Sequence, residues 1–268
     1  MKARVAFSGS GFLAPIHIGA ICAFKDLGIE IIETAGSSGG SIASALVAIG
    51  KTAEEMKALA LQDIPKGIVS YDITALFKEG FNDGEILLDW LNNVIGPITF
   101  GELPNQLTVM ATDIDSGKSC KFSNQDTPDV KVADACRASS SVPFVFAPYT
   151  VAGIKCVDAG VANNLPVDRL ILDDVQRYGI DVLDGEPAGT TNTVIGLAKQ
   201  CIATMLAANE NNLIAWAQQT DSKIVSVSAL PYGFLNPSLS LEEKTDLFER
   251  GYDAVINFFK DLYGPATK

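Results

Sequence analysis

The sequence predicts an α/β protein built around a parallel sheet, and the first 50 residues carry most of that prediction. Twice within them a short β-rich apolar run breaks at a glycine-rich turn and continues into a stretch with apolar residues at helical spacing, the pattern of successive βα units. The length of 268 residues with 47% hydrophobic content suits one domain over 1–268, since α/β domains often reach about 250 residues undivided.

Element by element, RVAFS (4–8) reads as the first strand, GSG (9–11) as its break, and 14–27 as a helix with Pro15 in the first turn, where a missing N–H costs little. Gly28 ends that helix, IEIIETA (29–35) forms the second strand, GSSGG (36–40) the second turn, and SIASALVAIG (41–50) the second helix. Thr52 with Glu55 has the spacing of a capping box for a helix through 63, and EILLDWLNNVI follows Asp83-Gly84 as another. The segment 63–81 between them is less regular, readable as a cap over a site or as a buried connection. LTVMATDID (107–115) and SCKFS are joined by a turn at Ser116-Gly117, and YTVAGIKCVDA forms a second hairpin that leads into DAGVANNLPVD (158–168). The last third holds a helical pattern (195–219), a strand (223–230) and a helix (241–262).

Charge and rare residues exclude several function classes. A net charge of −12 disfavours nucleic acid, whose binding depends on basic residues that release counterions. The single histidine, His17, leaves almost no route to a His-rich metal site or a Ser-His-Asp triad, so no metal or cofactor is expected and a hydrolase would need another base. His17 itself, inside HIGAICAF, reads as a helix-packing residue. Five cysteines without CxxC spacing read as reduced, mostly buried thiols, and no signal peptide or membrane span is visible, so a cytoplasmic location is expected.

Two turns carry the candidate chemistry. G9-S10-G11-F12-L13-A14 has the GxGxxA outline of a dinucleotide fingerprint, with Glu30 or Glu33 placed for a ribose. Its unpaired amides at a helix start would equally hold any anion, including the oxyanion of a tetrahedral intermediate. G36-S37-S38-G39-G40 is GxSxG between strand and helix, which makes Ser38 a candidate nucleophile, with a purely structural turn as the alternative. The Gly39 N–H would face the attacked carbonyl, and Gly9, Ser10 and Gly11 would complete the hole if the turns sit side by side. Among the acids, Asp158 stands out after an apolar strand and before a constrained loop; fixing its own turn is its bland role.

With these residues in place, the chain resembles the patatin-like phospholipases. SGSGFLAPIHIGAICAF, GSSGG and DAGVANNLPVD look like that family's oxyanion loop, nucleophile elbow and Asp-Gly loop, and ATDIDSG (111–117), ADACRASSSVPFVFAPY (133–149) and ERGYDAV agree in the same order. The resemblance implies a three-layer α/β/α fold with a mainly parallel central sheet. It also implies a Ser-Asp dyad of Ser38 and Asp158, with Gly9, Ser10 and Gly11 as the oxyanion loop. Its implied reaction is acyl-ester hydrolysis of phospholipid or lysophospholipid, with peripheral membrane contact and room for a protein activator. Ile68, Val69, Tyr71, Phe77, Phe81, Phe144 and Phe146 are candidate groove walls or anchors. The chain departs from the family pattern where Ser10 replaces a glycine, Leu13 a basic residue and Ala14 a glycine; a positive φ at Ser10 would be strained. A soluble carboxylesterase or acyltransferase, an inactive member acting through interactions, and a dinucleotide-binding oxidoreductase are the rival readings.

Overall fold

A computed structural model describes residues 1–68, 82–183 and 194–264 around an eight-stranded sheet. Strand β1 (Lys2–Phe7) is buried at every position after Lys2, as a strand covered on both faces must be. Its Val5 and Phe7 pack with helix α1 (Pro15–Asp26) and helix α7 (Leu241–Tyr263). Its Ala6 joins the opposite face, with Leu213, Trp216 and Ala217 of helix α6 (Val194–Gln219). This alternation at period two is what gives the molecule helices on both sides of one sheet.

From β1 outward, β2 (Glu30–Gly36) and then β3 (Gln106–Asp113) run parallel on one side, β7 (Arg177–Leu183) and β8 (Lys223–Ser228) parallel on the other. The antiparallel part lies beyond β3: β4 (Lys118–Ser123) pairs with it along its length, and the hairpin of β5 (Tyr149–Val151) and β6 (Ile154–Val157) joins at its end. The sheet is mainly parallel and the architecture three-layered, as the family resemblance implies.

β7 is a strand that the residue pattern does not announce. RYGIDVL carries Arg177, Gly179 and Asp181 among its apolar residues, yet Arg177 and Asp181 are both buried. Arg177 is held by the Ser222 hydroxyl and by the carbonyls of Asp173 and Thr220, so burial leaves its donors satisfied.

Helix α2 (Gly39–Ala48) begins earlier than the apolar run suggests, because Ser38 already occupies its N-cap. Helix α3 (Ala53–Leu61) carries the expected capping box, with Thr52 Oγ1 accepting from Glu55 N–H at 3.2 Å and Glu55 Oε2 accepting from Thr52 N–H at 2.8 Å. Helices α4 (Glu85–Ile95) and α5 (Val132–Ser139) form a second core with β3 and β4 through Leu87, Leu91, Phe122 and Val132. In the first core Phe24, Tyr178 and Phe259 meet at centroid distances of 5.4 and 5.7 Å, contacts worth about 1 kcal/mol each beyond burial. There α1 and α7 cross closely, because a methyl at Gly19 would strike the Phe248 carbonyl and one at Gly251 the Ile16 carbonyl.

Candidate active site

The sheet register brings the two glycine-rich turns together. Phe7 ends β1 directly opposite Gly36, which ends β2, so the chain leaves both parallel strands at the same level. The contact is tight: a Cβ at Gly39 would lie 2.6 Å from Ser10 Oγ and 2.6 Å from the Gly11 carbonyl oxygen. Glycine at 39 is therefore required by the approach of the first turn. Gly11 takes φ +52 against the Phe234 carbonyl, which leaves no room for a side chain.

Ser38 sits at φ 49, ψ −125, a region that a non-glycine residue enters at a cost of about 1–3 kcal/mol. Its surroundings hold it there. Ser38 N–H donates to Ser139 Oγ at 2.8 Å, the Ser41 hydroxyl donates to the Ser38 carbonyl at 2.6 Å, and the Ser37 hydroxyl donates to the Asn163 carbonyl at 2.6 Å. The turn thus presents Ser38 at the head of α2, where the helix dipole favours negative charge.

Asp158 follows β6 and is fixed on three sides. Its N–H donates to the Ser141 carbonyl at 2.9 Å, its carbonyl accepts from Thr112 Oγ1 at 2.9 Å, and its Oδ1 accepts from Gly160 N–H at 2.8 Å. The last of these is the turn-fixing bond expected of an aspartate here. Burial pushes the carboxyl up to about 6, against the opposing pull of the Ser38 hydroxyl and the Gly160 N–H. The hydroxyl is near enough to act on the carboxylate, but Oδ2 has no fully formed hydrogen bond, a looseness common in resting sites.

The loop expected to form an oxyanion hole departs from that expectation at one position. Gly9 N–H donates to the Asn164 carbonyl at 3.0 Å, so it shapes the loop and does not offer a free donor. The amides of Ser10, Gly11 and Gly39 make no hydrogen bond among the described residues, and Gly11 and Gly39 line the same cavity as Ser38. Ser10 takes φ −138, so the serine in the family's glycine position does not need the left-handed backbone; positive φ falls on Gly11 instead. Leu13 packs in the core with α1, away from the pocket wall.

An apolar cavity of about 140 Å³ opens beside Ser38 and Gly39. Ile42 and Leu46 of α2, Met56 and Leu59 of α3, Trp90 of α4 and Leu239 form much of its wall. Of the anticipated wall residues, Ile68 and Phe146 line it, Phe144 is 52% exposed, and Val69, Tyr71, Phe77 and Phe81 lie outside the described residues. The α2 and α3 contributions were hidden in the sequence because an apolar helix looks the same whether it faces a core or a cavity. Ser139 and Arg137 were missed too: their segment, 133–149, carries part of the family resemblance, but nothing in its residues marks which side chains reach the Ser38 turn.

His17 is buried with Nε2 2.8 Å from the Ser8 carbonyl and its ring edge-on to Phe7, and burial lowers its pKa to about 4. It packs behind the first turn as a neutral residue. The ribose-binding expectation for Glu30 or Glu33 fails: Glu30 opens β2, and Glu33, in mid-strand, is paired with Arg4 at 2.6 Å and accepts from Ile171 N–H. Neither reaches the strand's carboxyl end, where such a ligand binds. No cluster of three metal-ligating side chains occurs among the described residues, and no described helix is long and apolar enough to cross a membrane.

The fold and this turn define a class, α/β proteins that carry a serine on a strained strand-to-helix elbow. Residues 5–171 match the model of the patatin-like phospholipases, and the chain belongs to that family. An uncharacterized NTE family protein of Mycobacterium bovis is 31% identical over 166 residues, which cover 62% of this chain and 44% of that protein. This chain thus matches less than half of the mycobacterial relative's length. A probable lipid hydrolase of Invertebrate iridescent virus 6 is 25% identical over 265 residues, covering 92% of this chain and 85% of that protein. Among solved structures, VipD from Legionella pneumophila matches with a TM-score of 0.60 at 16% identity, over 97% of this chain and 67% of its own. The type III effector ExoU matches at 0.55 and 14%, over 97% and 52%. These two likenesses show a shared fold.

Proposed function

We propose that this chain is a lipid acyl hydrolase of the phospholipase A or lysophospholipase type, with Ser38 as nucleophile and Asp158 as base. The observation that carries the reading is the meeting of three features: a strained Ser38, a buried Asp158 acting on its hydroxyl, and an apolar cavity beginning at both turns. Asp158 takes the Ser38 proton as Oγ bonds to the ester carbonyl carbon, and the carbonyl electrons move onto an oxygen facing the amides of Ser10, Gly11 and Gly39. Collapse breaks the bond to the alcohol, which leaves with the proton from Asp158. A water then gives its proton to Asp158 and attacks the acyl-enzyme; the proton returns to Ser38 Oγ as the fatty acid departs.

Burial suits Asp158 to this task, because a carboxylate raised to about 6 is a better base than an ordinary one yet remains ionised at neutral pH. The cavity wall favours a fatty acyl chain over the short acids of a general esterase. Ser10's negative φ removes the positive-φ strain that a serine in the family's glycine position would otherwise bring. Phe144 and Ile86, both exposed and each next in sequence to a cavity-wall residue, supply apolar contact with a lipid surface that a net charge of −12 makes electrostatically unwelcoming. We read 1–268 as one domain, supported by β8 extending the sheet and α7 packing on α1.

Product analysis on defined phospholipids, lysophospholipids and short esters tests the function. Wild type should release fatty acid and label at Ser38 with a fluorophosphonate, and Ser38→Ala and Asp158→Asn should each abolish turnover with the fold intact. Full turnover by Asp158→Asn refutes the dyad.

A further inference from the structure

One side chain holds the backbone of Ser38 from outside the elbow. Ser139, the last residue of α5, is wholly buried and accepts from Ser38 N–H at 2.8 Å. Two residues on, the Ser141 carbonyl accepts from Asp158 N–H at 2.9 Å. The run 139–141 therefore grips one amide of each member of the pair. It is anchored in turn by buried Arg137, which donates through Nη1 to Ser141 Oγ at 2.7 Å, through Nε to the Gly84 carbonyl at 3.2 Å and through Nη2 to the Asp83 carbonyl at 2.6 Å.

We propose that Ser139 is a positioning residue for the reaction: its hydroxyl fixes the Ser38 amide, and with it the aim of Ser38 Oγ. This inference rests on the reading of Ser38 as nucleophile given above. The physical case is local. Ser38 occupies φ 49, which a serine leaves readily when nothing constrains it. Rotation toward negative φ would swing Cβ, and Oγ with it, away from Asp158 and from the free amides of Gly11 and Gly39. A methyl group at 139 would leave the Ser38 N–H buried without an acceptor, so the turn would relax toward a geometry that satisfies it. Because the Ser38 amide is already engaged, Ser139 acts through the nucleophile's backbone and touches neither substrate nor oxyanion.

The test compares Ser139→Ala and Ser139→Thr with wild type. It reads kcat and KM on a defined lysophospholipid, the rate of Ser38 labelling by a fluorophosphonate, and Tm. Ser139→Ala should lower kcat and the labelling rate together by about 10–100-fold, the cost of misplacing a reacting atom by a fraction of an ångström to an ångström. KM should stay within about twofold, and Ser139→Thr, which keeps the oxygen, should recover most of both rates. Wild-type kcat and labelling in Ser139→Ala overturn the inference, as do rates in Ala and Thr that fall equally and in step with Tm. Failure of the wild-type chain itself to label at Ser38 or release fatty acid overturns the nucleophile reading and this inference with it. A wild type that labels beside an unaffected Ser139→Ala overturns this inference alone.

Discussion

Asp158→Asn should make the folded protein more stable at neutral pH while removing its activity. The carboxyl rises from 3.8 to about 6 in the folded state because burial penalises its charge. Between those values the folded chain holds a proton that the unfolded chain has released, so stability falls as pH rises through this window and the full penalty applies above about 6. The shift corresponds to about 3 kcal/mol, or roughly 5 °C in Tm for a chain of this size. Asparagine keeps an oxygen to accept from Gly160 N–H and carries no charge to bury. Thermal unfolding of wild type and Asp158→Asn from pH 4 to pH 8 measures the effect. The two curves should converge near pH 4 and separate by the full amount above pH 6, the variant melting higher. A difference independent of pH, or a variant melting lower at pH 8, would refute the claim that burial of a charged Asp158 strains the fold.

The same titration governs activity: kcat/KM should fall about tenfold per pH unit below about 6, measured on a substrate whose own ionisation lies elsewhere. His17, already neutral above about 4, should leave that limb in place when changed to Gln, which a pH profile of the variant checks. Gly39→Ala should cut kcat by roughly 100-fold, since its methyl would push the first turn away and spread the amides proposed to hold the oxyanion; steady-state kinetics beside a thermal melt separates this from unfolding. Ile42→Trp, one turn along α2 from Ser38, should lower turnover of long-chain esters while sparing short-chain ones, read as the ratio of their kcat/KM values.

Much of the fold was legible because its signals are local. The first two βα units, the Thr52 capping box and the final helix follow from periodicity and end residues, and the structure places them within a few residues of expectation. β7 was not legible, since Arg177 and Asp181 look like surface residues until Ser222 and the carbonyls of Asp173 and Thr220 are seen around the arginine. The candidate site divides the same way. Ser38 and the two glycine-rich turns show in the sequence because a tight strand-to-helix turn demands small residues wherever it occurs. Asp158 showed as a turn residue, and the burial that raises its pKa belongs to the packed loop.

By itself, then, the sequence determined the backbone exceptions: glycine where a turn approaches another chain segment, serine at an elbow, proline and capping residues at helix ends. Each is a constraint between neighbours in the chain, and neighbours can be read one after another. Tertiary structure alone decided which amides stay free. It gave Gly9 N–H to Asn164, left those of Ser10, Gly11 and Gly39 without a partner among the described residues, and set Ser139 on the Ser38 amide across 101 residues of chain. Hydrogen bonds are settled by distances of a few tenths of an ångström between segments that meet only after the sheet has formed, and nothing in the order of residues records those distances.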